Sequence, residues 1–320
     1  MPLIAAPPTK NIPDVDLKTQ IALLTHPEQN PTDYVPFEEA GSFPFEAAAK
    51  PVSRVNAWWL AEAAWLAYWH SEAAIKNVYK TATGLDAELI SVDDGTEFTV
   101  ATNGAFAIVA FRGTQADDWT DILSDGDWIP EKWDIGHVHR GFAKAFEAAW
   151  PALQDWLKQL PSGCPTWFTG HSLGAALATL AAWRADGAGI CTFGSPLVGN
   201  QVFAGMFNSR FSDRSLRYVN DFDVVTRVPP EEFAFPFGRF THVDAVRWID
   251  RHGTIGNGPV PGGFFSDVIG GTNAAFMLHV VQHLEMFPSL PDTLRDHTPL
   301  HYVIHVWNDF ARKQLEVTTV

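Results

Sequence analysis

The feature that most restricts the fold is the stretch "PTWFTGHSLGAALATLAAWRADG", residues 165–187. A short apolar run ends in a serine between two glycines and passes at once into a run of alanine and leucine. The first part, "PTWFTG", reads as a buried strand: it is short and carries β-favouring residues. The second reads as a helix of small residues closed by Gly187. A strand that feeds directly into a helix is the repeating unit of a parallel sheet.

The rest of the chain continues the alternation. "AELISVD" and "TEFTVAT" are short β-type runs, and Asn103-Gly104 is a hairpin turn into "AFAIVAFRG". "GFAKAFEAAWPALQDWLKQL" reads as helix, "GICTFGSP" as strand, "GNQVFAGMFNSRF" as helix and "SLRYVND" as strand. "HVDAVRWID" adds a strand and "TPLHYVIHVWNDFARKQL" a final helix. The expected class is α/β, with a mostly parallel central sheet and helices on both faces. Upstream, "VNAWWLAEAAWLAYWHSEAAIKNVY" sets Trp58, Ala61, Trp65 and Trp69 at helical spacing. It reads as one amphipathic helix whose aromatic face packs on the core. Residues 1–50, rich in Pro, Ala and acidic groups, read as an N-terminal arm that is extended on the surface or partly disordered. Residues 51–320 read as a single domain.

Composition narrows the partners. Hydrophobic residues make up 46% of the 320 positions and charged ones 18%, which suits a large buried core. A net charge of −15 opposes binding to nucleic acid or to an anionic membrane. No apolar run has the length of a transmembrane segment, and "MPLIAAPPTKNIPD" lacks the basic start and apolar centre of a secretory signal. The two cysteines, Cys164 and Cys191, are expected to stay apart. With the strands ending near Gly170 and Gly194 parallel and in register, Cys164 is level with about residue 188, and Cys191 lies about 10 Å further along.

Gly170-His171-Ser172-Leu173-Gly174 fits the G-x-S-x-G nucleophile elbow. There the serine occupies a strained turn between strand and helix, so that its hydroxyl projects into a cleft. Side chains two positions to either side would clash, hence glycine at 170 and 174. His171 reads as a packing neighbour of the serine. A serine nucleophile needs a base and an orienting carboxylate, set on loops after later strands. After "SLRYV" the acid candidates are Asp221 and Asp223, and spacing does not choose between them. His297, in "LRDHTP", stands in the loop before the last helix, while His301 and His305 fall inside it. The i,i+4 pairs His279/His283 and His301/His305 lack the H-E-x-x-H pattern and read as structural or surface histidines. His139 reads as structural too. No metal or cofactor is expected.

Several segments, in order from about Ala57 to Trp307, resemble those of the class 3 lipase family, α/β-hydrolases typified by fungal triacylglycerol lipases. "IVAFRGT", "HVHRGFAKAF", "FTGHSLGAALATLAA" and "TFGSPLVGNQVFA" match in turn, followed by "RYVNDFDVVTRVPP", "FTHVDAVRWID" and "RDHTPLHYV". The resemblance implies the α/β-hydrolase fold and a serine ester hydrolase without metal or cofactor. It places the acid at Asp223 and the base at His297. For the oxyanion it implies Thr114, beside the backbone N–H of Leu173 that opens the elbow helix. Asp244 departs from the pattern, standing where the family more often has glycine. Two segments are lid candidates: 115–126, with Trp119, Ile122 and Leu123 on one side, and 231–290, which includes the apolar "NAAFMLHVVQHLEMF". The expected substrate is an acylglycerol ester met at a lipid–water interface. An esterase for short-chain or aromatic (feruloyl-type) esters is the alternative, and a non-catalytic binding protein of the same fold the third reading.

Overall fold

A computed structural model of the chain describes residues 7–30, 32–50, 52–113, 129–229, 231–258 and 289–318. Its strands, in chain order, are β1 (Asp86–Ser91), β2 (Glu97–Thr102), β3 (Ala107–Phe111), β4 (Pro130–Lys132), β5 (His137–His139) and β6 (Thr166–His171). They continue with β7 (Gly189–Phe193), β8 (Gly199–Asn200), β9 (Ser215–Asn220), β10 (Phe240–Thr241), β11 (Val246–Ile249) and β12 (Ile255–Asn257). The main sheet runs β1-β2-β3-β6-β7-β9-β11-β12. Its inner strands, from β3 to β11, pair in parallel, and its edges are antiparallel. The short strands form a second sheet, β10-β8-β5-β4, which the sequence reading did not foresee.

The inner strands are buried on both faces because side chains alternate across a strand. Ile108, Ala110 and Trp167 enter one core; Val109, Phe111 and Phe168 enter the other. Helices Arg54–Leu66 and Pro299–Thr318 cover the first face. Helices Arg140–Leu157 and Leu173–Ala185 cover the second. Register then sets the site: Phe111 is level with Gly170, Gly170 with Thr192, and Phe193 with Tyr218. The chain therefore leaves β3, β6, β7 and β9 at one edge of the sheet, where Gly113, Ser172, Gly194 and Asp221–Asp223 follow.

Two expectations need correction. The tryptophan-rich stretch is not one amphipathic helix. It divides into Arg54–Leu66 and Glu72–Val78, the second capped by the Ser71 hydroxyl on the N–H of Ala74. The first is buried all round from Val55 to Leu66, because the N-terminal arm covers its outer side. That arm is neither merely extended nor superficial. It carries the helix Leu17–Thr25, capped by Asp16. Phe37 packs fully buried against Trp58, Trp59 and Tyr79, and Trp307 donates its indole N–H to the carbonyl of Pro8 at 2.9 Å. Such contacts have no local period and so leave no mark in the sequence. The lid candidate 231–290 includes β10, β11 and β12, whose backbones are held in the sheets; its apolar segment "NAAFMLHVVQHLEMF", with the rest of residues 259–288 and with His279 and His283, lies outside the described residues.

The cysteines are both free, as expected, but further apart than reckoned. Trp167 is level with Gly189, so Cys164 is level with 186 and five residues, about 16 Å, separate it from Cys191.

Candidate active site

Ser172 sits between β6 and the helix Leu173–Ala185 with φ 60 and ψ −130. Its N–H donates to the Phe193 carbonyl and its own carbonyl accepts from Ala175, both at 3.0 Å. Its hydroxyl does not cap the helix, so the backbone is tied down while the side chain stays available. The flanking glycines follow from packing. A Cβ on Gly170 would stand 2.3 Å from the backbone of Gly174, and one on Gly174 would stand 2.2 Å from the Phe111 carbonyl oxygen. Backbone atoms cannot move aside, so no side chain fits at either position.

Asp223 and His297, 74 residues apart, meet beside this turn. Nδ1 of His297 lies 2.8 Å from both carboxylate oxygens of Asp223. A carboxylate only accepts, so Nδ1 carries the proton and Nε2 is the basic nitrogen. Asp223 is fully buried and accepts two further bonds, from the Val225 N–H at 2.9 Å and from the Tyr302 hydroxyl at 2.5 Å. Gly194, left-handed at φ 57, makes room for the pair: a Cβ there would lie 2.8 Å from Asp223 Oδ2 and 2.9 Å from His297 Cε1.

The other acid and base candidates are turned elsewhere. Asp221 and His301 line a separate cavity of about 370 Å³, with Asp250, Arg251 and Arg295. Burial, with His305 and Arg295 nearby, depresses the His301 pKa to about 3. His305 lines the same cavity. His139 is buried with its ring 4.3 Å from that of Phe142, a packing position. His171 packs beside the serine: its Nδ1 is 2.8 Å from the Tyr68 hydroxyl and its ring 4.3 Å from that of His297. Burial, then the neighbouring His297, holds its pKa well below the ordinary imidazole range.

Tyr68 and Tyr302 were not singled out from the sequence as site residues. Tyr302 stands five residues after His297 in the quoted "RDHTPLHYV", so its place was visible and its role was not. Tyr68 lies in an aromatic run with nothing to separate it from core residues. Thr114 and the lid candidate 115–126 lie outside the described residues. Leu173 opens the elbow helix, where an N–H has no acceptor within the helix. Asp244 takes φ 71, the conformation that glycine adopts most easily. Its Oδ1 accepts from the Ser215 hydroxyl. Its Oδ2 has no hydrogen-bond partner among the described residues. Burial pushes this carboxyl from 3.8 up to about 7, against the pull of Ser215 and Arg217. Among the described residues there is no group of three or more His, Cys, Asp or Glu arranged to hold a metal, and no helix long and apolar enough to cross a membrane.

Residues 108–233 match the sequence model of the family described as "Lipase (class 3)". A secreted mono- and diacylglycerol lipase of Fusarium solani is 28% identical over 187 residues, 56% of this chain and 52% of that protein. A chloroplastic phospholipase A(1) of Arabidopsis thaliana, DAD1, is 46% identical over 68 residues, 19% of this chain and 15% of that one. The chain thus spans about half the length of the first relative and less of the second. The triacylglyceride lipase of Rhizomucor miehei superposes with a TM-score of 0.51 at 20% identity, over 74% of this chain and 94% of that one. That likeness, with the sheet order and the strand–serine–helix turn, makes the fold an α/β-hydrolase fold.

Proposed function

As the chain belongs to the class 3 lipase family, we propose that it hydrolyses carboxylic esters of lipids through an acyl-enzyme formed on Ser172. The observation that carries this reading is the 2.8 Å contact of His297 Nδ1 with the buried Asp223, at the sheet edge where Ser172 turns out of β6. Ser172 Oγ attacks the ester carbonyl carbon while His297 Nε2 takes its proton, and the proton passes to the departing alkoxide. Water, activated by the same nitrogen, then releases the acid and restores Ser172. Asp223 orients the imidazole and stabilises its cationic form; its other bonds, to Val225 and Tyr302, keep the carboxylate from turning away.

The Leu173 N–H is one donor to the oxyanion, helped by the positive end of its helix. Thr114 is the second. Support for Thr114 comes from the family resemblance of "IVAFRGT" and from its neighbour Gly113, where a Cβ would meet the His171 carbonyl oxygen at 2.6 Å, so the described chain up to 113 runs alongside the elbow. Loss of an oxyanion donor raises a barrier by about 3–4 kcal/mol. The chemistry requires no metal or cofactor.

Acylglycerols are the substrate class, in keeping with the mono- and diacylglycerol lipase named among the relatives. A rate series on p-nitrophenyl esters from short to long acyl chains, with a glyceride emulsion beside it, tests this. Turnover that rises with chain length and persists on the emulsion is expected; turnover confined to the shortest esters assigns the chain to the esterases. An organophosphonate should label the wild type and leave Ser172→Ala unlabelled. Absence of labelling in both would overturn the catalytic reading in favour of a binding protein.

A further inference from the structure

The dyad is built from two segments with little rigidity of their own. Asp223 stands on a turn after β9. His297 follows a helix of only four residues, Asp292–Arg295, too short to hold its shape alone. Even so, the imidazole and carboxylate meet within hydrogen-bond distance.

Two residues outside the proposed triad link these segments directly. Asn220, the last residue of β9, donates its side-chain Nδ2–H to the backbone carbonyl of Asp296 at 3.0 Å. In return Asp296 Oδ2 accepts the backbone N–H of Phe222 at 3.1 Å. Each side chain therefore grips the other segment's backbone. Both bonds leave the segment just before Asp223, at Asn220 and Phe222, and both end on the residue next to His297. Both residues are buried, and Asn220 is rigidly based. Asn220 is level with Ile249 of β11, accepts the Asp223 N–H on its carbonyl at 2.8 Å, and donates its N–H to Tyr302 Oη at 2.9 Å. The Asp296 N–H is held by the Asp292 carbonyl at 2.8 Å.

We infer that Asn220 and Asp296 form a reciprocal clamp, a pair of positioning residues that sets the His297 imidazole against Asp223. Neither touches the reacting atoms. The inference rests on the proposed ester hydrolysis for its kinetic readout, and it has a second readout that does not. Misplacing a catalytic group by about 1 Å costs about 100-fold in rate, so a clamp acts on kcat and leaves KM nearly untouched.

The test uses the full chain with a soluble p-nitrophenyl butyrate, and variants Asn220→Ala, Asp296→Ala, their double, and Asp296→Asn. Each single alanine variant should lose about 10- to 100-fold in kcat with KM within about twofold. The double should be no slower than the worse single by more than about threefold, since one clamp can be opened only once. Asp296→Asn keeps an acceptor for Phe222 and should return to within about threefold of wild type. Independently of activity, the low-field proton NMR resonance of the His297 Nδ1–H, assigned by its loss in His297→Gln, should persist in Asp296→Asn and vanish in the alanine variants. Should an alanine variant not fold, Asn220→Asp, which replaces the donor by an acceptor of equal size, should show the same losses. Wild-type kcat and resonance in the folded alanine variants would overturn the clamp. So would multiplied losses in the double, or an Asp296→Asn as slow as Asp296→Ala. A wild type without ester turnover would instead overturn the proposed function, and the NMR comparison would still decide on the clamp.

Discussion

Ser172 and Asp244 are both residues other than glycine whose backbone turns left-handed, at φ 60 and φ 71, yet their surroundings treat them in opposite ways. Around Ser172 everything is fitted to the turn. The neighbours at 170 and 174 have no side chains to clash, its backbone N–H and carbonyl are bonded, and its hydroxyl is left uncommitted. Around Asp244 the turn is merely tolerated. Asn208 accepts its N–H at 2.7 Å and Ser215 serves one carboxylate oxygen, while the other oxygen is buried without a partner among the described residues. Strained backbone persists when the surrounding structure over-determines it. At Ser172 the strain presents the proposed nucleophile; at Asp244 no group among the described residues uses it. Under the proposed function the first site trades stability for chemistry, and the second is a place where stability can be regained.

The largest effect that would sharpen this contrast is at Ser172 itself. Ser172→Gly relaxes the turn and removes the hydroxyl, so turnover should fall by about 10⁴-fold or more while Tm stays level or rises. A large fall in Tm would mean that the turn is held for packing. Next comes Gly174→Ala, whose methyl would press on the Phe111 carbonyl. It should lose about 3 kcal/mol or more in urea unfolding, and near-wild-type stability would show that the elbow has slack.

Asp244→Asn reads the other side of the contrast. A folded pKa of about 7 above an ordinary 3.8 means that the contribution of Asp244 to stability is full below about pH 4 and is lost as pH rises through 7. Asparagine accepts from Ser215, tolerates the left-handed backbone and does not titrate. It should therefore match wild type near pH 4 and exceed it by about 2–4 kcal/mol at pH 8. A gain equal at both pH values would assign the effect to backbone strain rather than to the buried charge. The smallest effect is expected for His301→Gln. Its imidazole belongs to the separate cavity, so kcat should stay within about twofold of wild type, and a loss comparable to that of His297→Gln would bring His301 back into the site.

How much was legible varied with the range of the interactions. The succession along the chain of the longer strands and helices, from β1 to the last helix, could be read off because each such element carries its own period and turn residues. The small sheet could not, since β8 and β10 are two residues long and show no pattern of their own. The helix Arg54–Leu66 looked amphipathic because its buried outer side is covered by residues far away in the chain, Phe37 and Tyr34 among them. Around the site, the residues alone left Asp221 beside Asp223 and His301 beside His297. Only resemblance pointed to one of each. Asn220, Tyr68 and Tyr302 had no local signature that marks a supporting role.

By itself the sequence determined the elbow, because its geometry depends on five consecutive residues: two glycines that permit close backbone approach, and a serine on the turn between an apolar strand and a small-residue helix. It determined the α/β class for the same reason, through patterns confined to one element at a time. The tertiary structure alone decided which carboxylate faces which imidazole, which side chains steady them, and where a buried acid is left half-satisfied. Those outcomes depend on strand register and burial. Asp221 and Asp223 differ in neither composition nor neighbourhood along the chain, but the turn after β9 sends one toward His297 and the other into a separate cavity.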